Sequence, residues 1–71
     1  MDIRAKLTTL GFIKVKSSHG YYQYLNNKID RIISFTETKM TIFNTSYHIK
    51  YDGKIPTDNE FLIKLIESTN G

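Results

Sequence analysis

The sequence predicts an α+β fold: a helix, a five-stranded antiparallel β-meander and a second helix, with both helices on one face of the sheet. Two observations predict it. Apolar residues recur at helical spacing near both ends of the 71-residue chain. Between them, over residues 12–51, apolar and polar residues alternate in short runs separated by turn-forming Asn, Ser and Gly. A chain of this length is expected to form a single domain with one core.

The first helix is predicted over residues 2–10. Ile3, Leu7 and Leu10 follow one another at the spacing that places side chains on one side of a helix. Gly11 then supplies a residue that adopts the left-handed conformation at a helix C-terminus without strain. The hydrophobic period changes to two directly after this glycine, so the first strand is expected to start there.

The last helix is predicted over residues 58–68. The stretch Thr57-Asp58-Asn59-Glu60 matches a capping box, in which the Thr57 hydroxyl accepts a hydrogen bond from a first-turn amide and Glu60 reaches back. Pro56 keeps the helix from starting earlier. The apolar face of this helix is expected to contain Phe61, Leu62, Leu65 and Ile66.

Five strands are predicted, at residues 12–17, 21–25, 29–35, 39–43 and 47–51. A two-residue turn at Asn26-Asn27 would place Tyr24 opposite Ile29, since Asn tolerates positive φ. Arg31 is the one charged residue expected on the core side, with its head group extended to an edge. The core face is then predicted to contain Ile13, Val15, Tyr22, Tyr24, Ile29, Ile33, Phe35, Met40, Ile42, Ile49 and Tyr51.

The opposite face of the predicted sheet, which no helix covers, carries an apolar stripe with cations at its sides. Its expected row consists of Lys16, Tyr21, Ile32, Phe43 and His48. Apolar side chains on an uncovered face are typical of a binding surface, and ordinary cross-strand packing is the alternative explanation. Phe12 is also expected on this face. The candidate partner-binding residues are Lys14, Lys16, Tyr21, Ile32, Phe43, His48 and Lys50.

Composition narrows the function classes. The chain has no cysteine, so a disulfide or thiolate metal site is excluded and a reducing, cytoplasmic location is expected. No apolar run is long enough for a membrane span. The two histidines lie in different predicted hairpins without clustered carboxylates, so no metal, cofactor or catalytic residue is predicted. The net charge of +3 favours an acidic partner without identifying nucleic acid.

Residues 10–22 combine a Gly11-Phe12 pair, a basic strand and a Ser18-His19 turn. This stretch resembles the start of HicA-type mRNA interferases, toxins in which a Gly-Ser-His turn carries the catalytic histidine. The resemblance implies that His19 acts as a general base on an RNA 2′-hydroxyl. Ser17 stands where the motif has glycine, and more strands are predicted after the motif than the toxins have.

In overall character the chain resembles small proteins of phages and mobile elements, including anti-CRISPR proteins, which are short single domains with one adhesive face. The leading hypothesis is therefore a non-catalytic protein-binding module that inhibits a host defence nuclease complex, with a protein or ribonucleoprotein as partner. The alternative is a small basic protein that binds single-stranded nucleic acid. A HicA-like ribonuclease is the third hypothesis, and a homodimer formed through the sheet face or an edge strand also stays open.

Overall fold

The computed structural model describes residues 3–69 and confirms the α+β fold class. A single antiparallel sheet contains all five strands in chain order, β1-β2-β3-β4-β5, so it is a meander with β1 and β5 as its edges. A helix precedes the sheet and another follows it. The elements are α1 (Ile3–Thr9), β1 (Ile13–Ser18), β2 (Tyr21–Asn26), β3 (Arg31–Phe35), β4 (Lys39–Phe43), β5 (Ile49–Lys54) and α2 (Asn59–Thr69).

Both helices cover the same face of the sheet, because one core cluster contains residues from each of them. From α1 and α2 come Ile3, Leu7, Leu62 and Ile66. Their partners in the sheet are alternate strand residues, as the period of two requires: Tyr24, Ile33, Phe35, Met40 and Ile42. The face opposite this cluster carries no element among residues 3–69 and is called the open face below.

Phe12 belongs to the core, so the prediction that it lies on the open face is wrong. Its side chain is 3% exposed and packs in the core cluster. The chain leaves α1 through Gly11, whose φ of 97° lies in the left-handed region. The Phe12 amide then donates to the Leu7 carbonyl over 2.9 Å, which folds the chain back beneath the helix.

A β-bulge in β1 changes which residues share a face. Lys14 lies opposite Tyr24 and Lys16 lies opposite Gln23, which leaves Val15 as the extra residue. Before the bulge the side-chain parity is therefore the reverse of the predicted one. Ile13 lies on the open face rather than in the core, and Lys14 lies on the helix side.

The connection between β2 and β3 is a four-residue loop, Asn27–Asp30, and not a two-residue turn. Asp30 adopts the left-handed conformation, with a φ of 59°. The register consequently moves by four residues, so that Tyr24 lies opposite Ile33 and Leu25 lies opposite Ile32. A shift of an even number of residues keeps every side chain on its predicted face, which is why the error in the turn left the faces of β3 intact.

A second bulge lies in β5, the other edge strand. Ile42 pairs with Tyr51 and Phe43 pairs with Ile49, so Lys50 is the extra residue. The prediction that Ile49 lies in the core is wrong, because the bulge turns this side chain to the open face beside Phe43. β5 also continues to Lys54, beyond its predicted end at residue 51.

The cap of α2 is Asp58, one residue later than the predicted Thr57. The Asp58 carboxylate accepts a hydrogen bond of 2.7 Å from the Phe61 amide, in the first turn of the helix. The prediction of a capping box is therefore wrong, since Glu60 occupies the second helical position and not the third.

Arg31 joins the far end of α2 to the start of β3. Its side chain is buried, and its guanidinium donates to the Thr69 hydroxyl over 3.1 Å and also to the Thr69 carbonyl. A further hydrogen bond of 2.6 Å reaches the Asp30 carbonyl. A cation at a helix C-terminus interacts favourably with the helix dipole. Arg31 thus stays inside the fold, where it binds the last turn of α2.

Candidate functional site

An unbroken row of apolar side chains crosses the open face through all five strands. Each residue of this row is paired with the next in the neighbouring strand, so the side chains lie side by side. We call this set the apolar row, and it consists of Ile13, Leu25, Ile32, Phe43 and Ile49. A face that water alone covers would be expected to carry polar residues here.

Exposure along the apolar row rises from the centre to the edges. Ile32 is only 6% exposed although it lies outside the core cluster, whereas Ile13 and Ile49 are 69% and 61% exposed. No helix covers Ile32 within residues 3–69, so side chains of the open face itself shelter it. Bulges bend a strand and increase its twist, and both edge strands carry one. The apolar area that the open face leaves accessible lies mainly at its two edges.

A second, polar row runs beside the apolar row on the open face. It consists of Lys16, Gln23, Ser34, Thr41 and Asp52. Gln23 and Ser34 are buried, and the Tyr21 hydroxyl lies 3.2 Å from the Ser34 hydroxyl. The Gln23 amide nitrogen lies 3.5 Å from both of these oxygens. The buried polar groups at the centre of this row are thus hydrogen-bonded to one another.

The open face carries more lysines than carboxylates, and its carboxylate, Asp52, is already hydrogen-bonded within the chain. Asp52 accepts hydrogen bonds from the Lys39 ammonium and from the Thr41 hydroxyl, and these bonds lower the pKa of its carboxyl. Lys39 is in turn paired directly with Lys54 across the strands, which places two cations side by side. Lys16 adds a third cation at the opposite edge.

The loop between β4 and β5 extends the open face with an aromatic ring. Tyr47 is 58% exposed, has a φ of 64°, and its ring packs edge-on against Phe43 with 5.8 Å between centroids. Asn44 holds the loop, since its side-chain oxygen accepts from the His48 amide over 2.9 Å. Asp30 anchors the loop from the other side by accepting from the Thr45 amide and hydroxyl, which lower the pKa of the Asp30 carboxyl.

A small pocket lies at the β1 end of the apolar row. Its volume is about 430 Å³, and its lining includes the apolar side chains of Ile13, Val15 and Leu25, which we call its floor. Its polar lining, which we call its rim, comes from Asn26 at the end of β2 and from Asn27 and Lys28 of the following loop. The end of α1 also lines the pocket, through Thr9, Leu10 and Gly11. We call it the corner pocket. Its apolar floor and single cationic rim residue suit an apolar side chain with an anionic neighbour.

Four of the seven predicted site residues lie on the open face. Ile32 and Phe43 are direct neighbours in the apolar row, as predicted. Lys16 lies on the same face, in the polar row. Tyr21 also faces this side, but its cross-strand partner in β1 is Ser18, and Leu25 takes the predicted place of Tyr21 beside Ile32.

The other three residues lie elsewhere. Lys14 is on the helix side, with its ammonium 5.9 Å from the centroid of the Tyr22 ring, so its predicted place on the open face is wrong. His48 lies in the loop before β5, and Ile49 rather than His48 pairs with Phe43. Lys50 is the exposed bulge residue of β5.

Sequence reasoning missed that the edge residues Ile13 and Ile49 complete the apolar row. Each lies at a β-bulge or directly before one, and a bulge reverses side-chain parity at one end of its strand. Strict alternation therefore assigned both residues to the core. The sequence holds no signal for this reversal, since neither Val15 nor Lys50 distinguishes a bulge from a regular strand, and only the structure shows that all six residues of β1 are exposed.

His19, the residue that the HicA resemblance singles out, lies in the two-residue turn between β1 and β2 and is exposed. Its neighbour Gly20 adopts a φ of 69°, which lets the turn close. Within residues 3–69 no three His, Asp or Glu side chains come together as a metal site would require. Neither helix of this part of the chain has the length and hydropathy to cross a membrane.

The helix side carries a larger groove of about 630 Å³ between α1 and the segment that precedes α2. Tyr22 lies in it, with the Arg4 guanidinium 4.4 Å from its ring centroid. Glu37 also lines this groove, so its charges are of mixed sign. The open face differs in combining the apolar row with more lysines than carboxylates, which makes it the better candidate for a functional surface.

Comparison of the chain with protein-family models, with curated proteins and with solved structures finds no match. The geometry and chemistry of the open face are therefore the main indication of what the protein does.

Proposed function

We propose that this protein is a non-catalytic binding module whose open face binds another protein. The observation that carries the proposal is the apolar row, which continues without a polar interruption from one edge of the sheet to the other. Exposed apolar side chains at its two ends leave water-accessible area that a partner would bury. Tyr47 and Val15, which are 58% and 48% exposed, widen the surface on either side.

The chemistry of the row favours a protein partner over single-stranded nucleic acid. Four of its five residues are aliphatic, and Phe43 supplies the ring. Bases bind to proteins mainly by stacking on aromatic side chains, which aliphatic groups replace poorly. Aliphatic and aromatic side chains together match the apolar centre of protein–protein interfaces.

A more specific role is part of the same proposal. A small binding module suits an inhibitor that blocks a larger complex by covering one of its surfaces. We propose an inhibitor of a host defence nuclease complex, acting in the cytoplasm, as this role. The support is the small single sheet with one adhesive face, together with the absence of cysteine from the chain.

Site-specific photo-crosslinking in cells of the organism that encodes the chain tests the proposal. Benzoylphenylalanine replaces Ile49 on the open face in one variant and Phe61 on α2 in the control. The two positions are matched, since their side chains are 61% and 48% exposed. We expect a discrete protein adduct from position 49 only. The adduct should disappear when Ile13→Ser is introduced into the same chain, because this change alters the far end of the row.

Three results would overturn the proposal. Equal adducts from positions 49 and 61 would mean that the open face has no special role. Adducts that nuclease treatment converts to free protein would assign the face to nucleic acid. Adducts with the mass of two copies of this chain would make the face a homodimer interface.

A further inference from the structure

We propose that the partner presents an acidic segment, and that one bulky apolar side chain of this segment occupies the corner pocket. The inference rests on the proposed function and specifies the partner's chemistry. It follows from two features that occur together, namely an apolar pocket at the end of the apolar row and unneutralised lysines around the open face.

The acidic character of the partner is inferred from the lysines near the open face. Lys28 lines the corner pocket, Lys16 follows Val15 on the same edge strand, and Lys50 follows Ile49 at the other edge. None of these three ammonium groups forms an ion pair within residues 3–69. Two carboxylates lie near the row, and each is close to a cation of this chain: Asp52 is paired with Lys39 over 3.1 Å, and Asp30 lies 4.0 Å from the Arg31 guanidinium. A partner that places carboxylates at the Lys16 and Lys28 end of the row would therefore meet ammonium groups that are not ion-paired within residues 3–69.

The apolar side chain of the partner is inferred from the corner pocket. Apolar anchors that fill a pocket supply much of the affinity of an interface, and the residues around them exclude water. The corner pocket has a floor of Ile13, Val15 and Leu25, side chains that gain nothing from contact with a phosphate group. An anionic protein segment satisfies both the floor and the rim, whereas nucleic acid satisfies only the rim.

A second copy of this chain fits the face poorly. Packing two open faces together would place Lys16 and Lys54 of each copy in one interface, and like charges in an interface oppose association. The carboxylates of α2 do not reach these lysines in this arrangement, since α2 lies on the helix side of the molecule. The partner that covers the open face is therefore inferred to be a different protein.

The probe is a random peptide library displayed on phage and selected against the immobilised full-length protein. Peptides that also bind the Ile13→Ser/Val15→Ser variant are removed. These side chains are 69% and 48% exposed and lie outside the core cluster, so this variant is expected to stay folded, which circular dichroism checks. We expect the remaining peptides to carry a net negative charge around one Leu, Ile, Phe or Trp.

The best selected peptide is then measured quantitatively. Replacing its Asp and Glu by Asn and Gln should weaken binding by about tenfold or more at low salt, as loss of complementary charge does. Lys16→Glu/Lys28→Glu should weaken binding to a similar degree, while the control Lys64→Glu on α2 should leave it unchanged. A nuclear magnetic resonance titration should shift the amides of Ile13, Val15 and Leu25.

The outcomes separate this inference from the proposed function. Selected peptides that are neutral or basic, yet lose binding in the Ile13→Ser/Val15→Ser variant, would overturn the acidic partner and leave a protein-binding open face in place. A selection in which every recovered peptide also binds the Ile13→Ser/Val15→Ser variant, so that none remains after the removal step, would overturn both. A selection that yields no peptide would overturn the inference alone, because the crosslinking experiment judges the open face independently.

Discussion

At the scale of single residues, Arg31 is the clearest case of a charge whose role the sequence does not reveal. The alternation pattern predicts its position on the core side, but the acceptor lies 38 residues further along the chain, at Thr69. Local pattern carries no information on which helix end comes close to which strand. The sequence therefore predicted that Arg31 lies on the core side, and only the structure shows that Thr69 is its hydrogen-bond acceptor.

We predict that Arg31→Met lowers the free energy of unfolding by about 2 kcal/mol, because charge-assisted hydrogen bonds in a buried site are lost together. Urea denaturation followed by circular dichroism measures the change. Arg31→Lys should recover part of the loss, since an ammonium reaches fewer of the acceptors. Lys64→Met on the exposed side of α2 is the control, and an equal loss in both variants would contradict the role assigned to Arg31.

The lowered pKa values of Asp30 and Asp52 predict a loss of stability in acid. A carboxyl with a pKa below its ordinary value of 3.8 binds a proton less readily in the folded than in the unfolded chain. Its contribution to stability is present above the unfolded pKa and is lost as the pH falls through the folded pKa. We expect the urea midpoint to fall between about pH 5 and about pH 2.

Asp30→Asn/Asp52→Asn should flatten this pH dependence, because the two carboxyls no longer titrate. Glu67→Gln, which changes an exposed carboxyl of α2, is the matched control. Urea midpoints of the three proteins across the acid range provide the measurement. A double variant with an unchanged slope would show that other carboxyls control acid unfolding.

At the scale of elements, the sequence predicted the number, type and order of helices and strands. The spacing of apolar residues distinguishes helix from strand over each segment as a whole, even where a bulge changes which face a single residue occupies. It did not predict the two β-bulges, since no residue at Val15 or Lys50 distinguishes a bulge from regular strand. The four-residue loop that ends at Asp30 was also missed. Its effect on the faces was small, because the register moved by an even number of residues.

The start of α2 provides a direct test at this scale. Asp58→Ala should lower stability by about 1 kcal/mol, because it removes the acceptor of the Phe61 amide. The melting temperature of a domain of this size should fall by about 4–8 °C. Thr57→Ala should change it little, since Thr57 is not the residue that binds this amide. Equal effects of the two substitutions would instead support the predicted capping box, with Thr57 as the cap residue.

At the scale of the whole molecule, the two faces of the sheet have opposite roles. One is closed by both helices, and the other combines an apolar row with cations. The general position of this open face was predictable from side-chain parity on β3 and β4, where Ile32 and Phe43 lie as expected. Its full extent was not, because the edge residues Ile13 and Ile49 depend on the bulges.

This charge distribution predicts an unusual salt response. The lysines around the open face should keep two copies apart at low salt, and added NaCl should screen this repulsion while the apolar attraction persists. Light scattering coupled to size exclusion should therefore show a molar mass that rises between about 0.01 M and about 1 M NaCl.

Ile13→Ser/Ile49→Ser should abolish the rise, and Phe61→Ser should not. Association that weakens with salt would instead indicate attraction between opposite charges, such as those of the sheet and α2. Complexes with nucleic acid would also weaken with salt, so the same titration distinguishes that class of partner.

The strict chain order of the strands has a consequence for the order in which contacts can form during folding. Each strand pairs only with its neighbours in sequence, so the pairings of β1 to β5 need no contact with α2. Until α2 packs against the sheet, apolar side chains are exposed on both of its faces and the Arg31 guanidinium lacks its acceptor at Thr69. We expect a chain with α2 undocked to aggregate more readily than the folded protein.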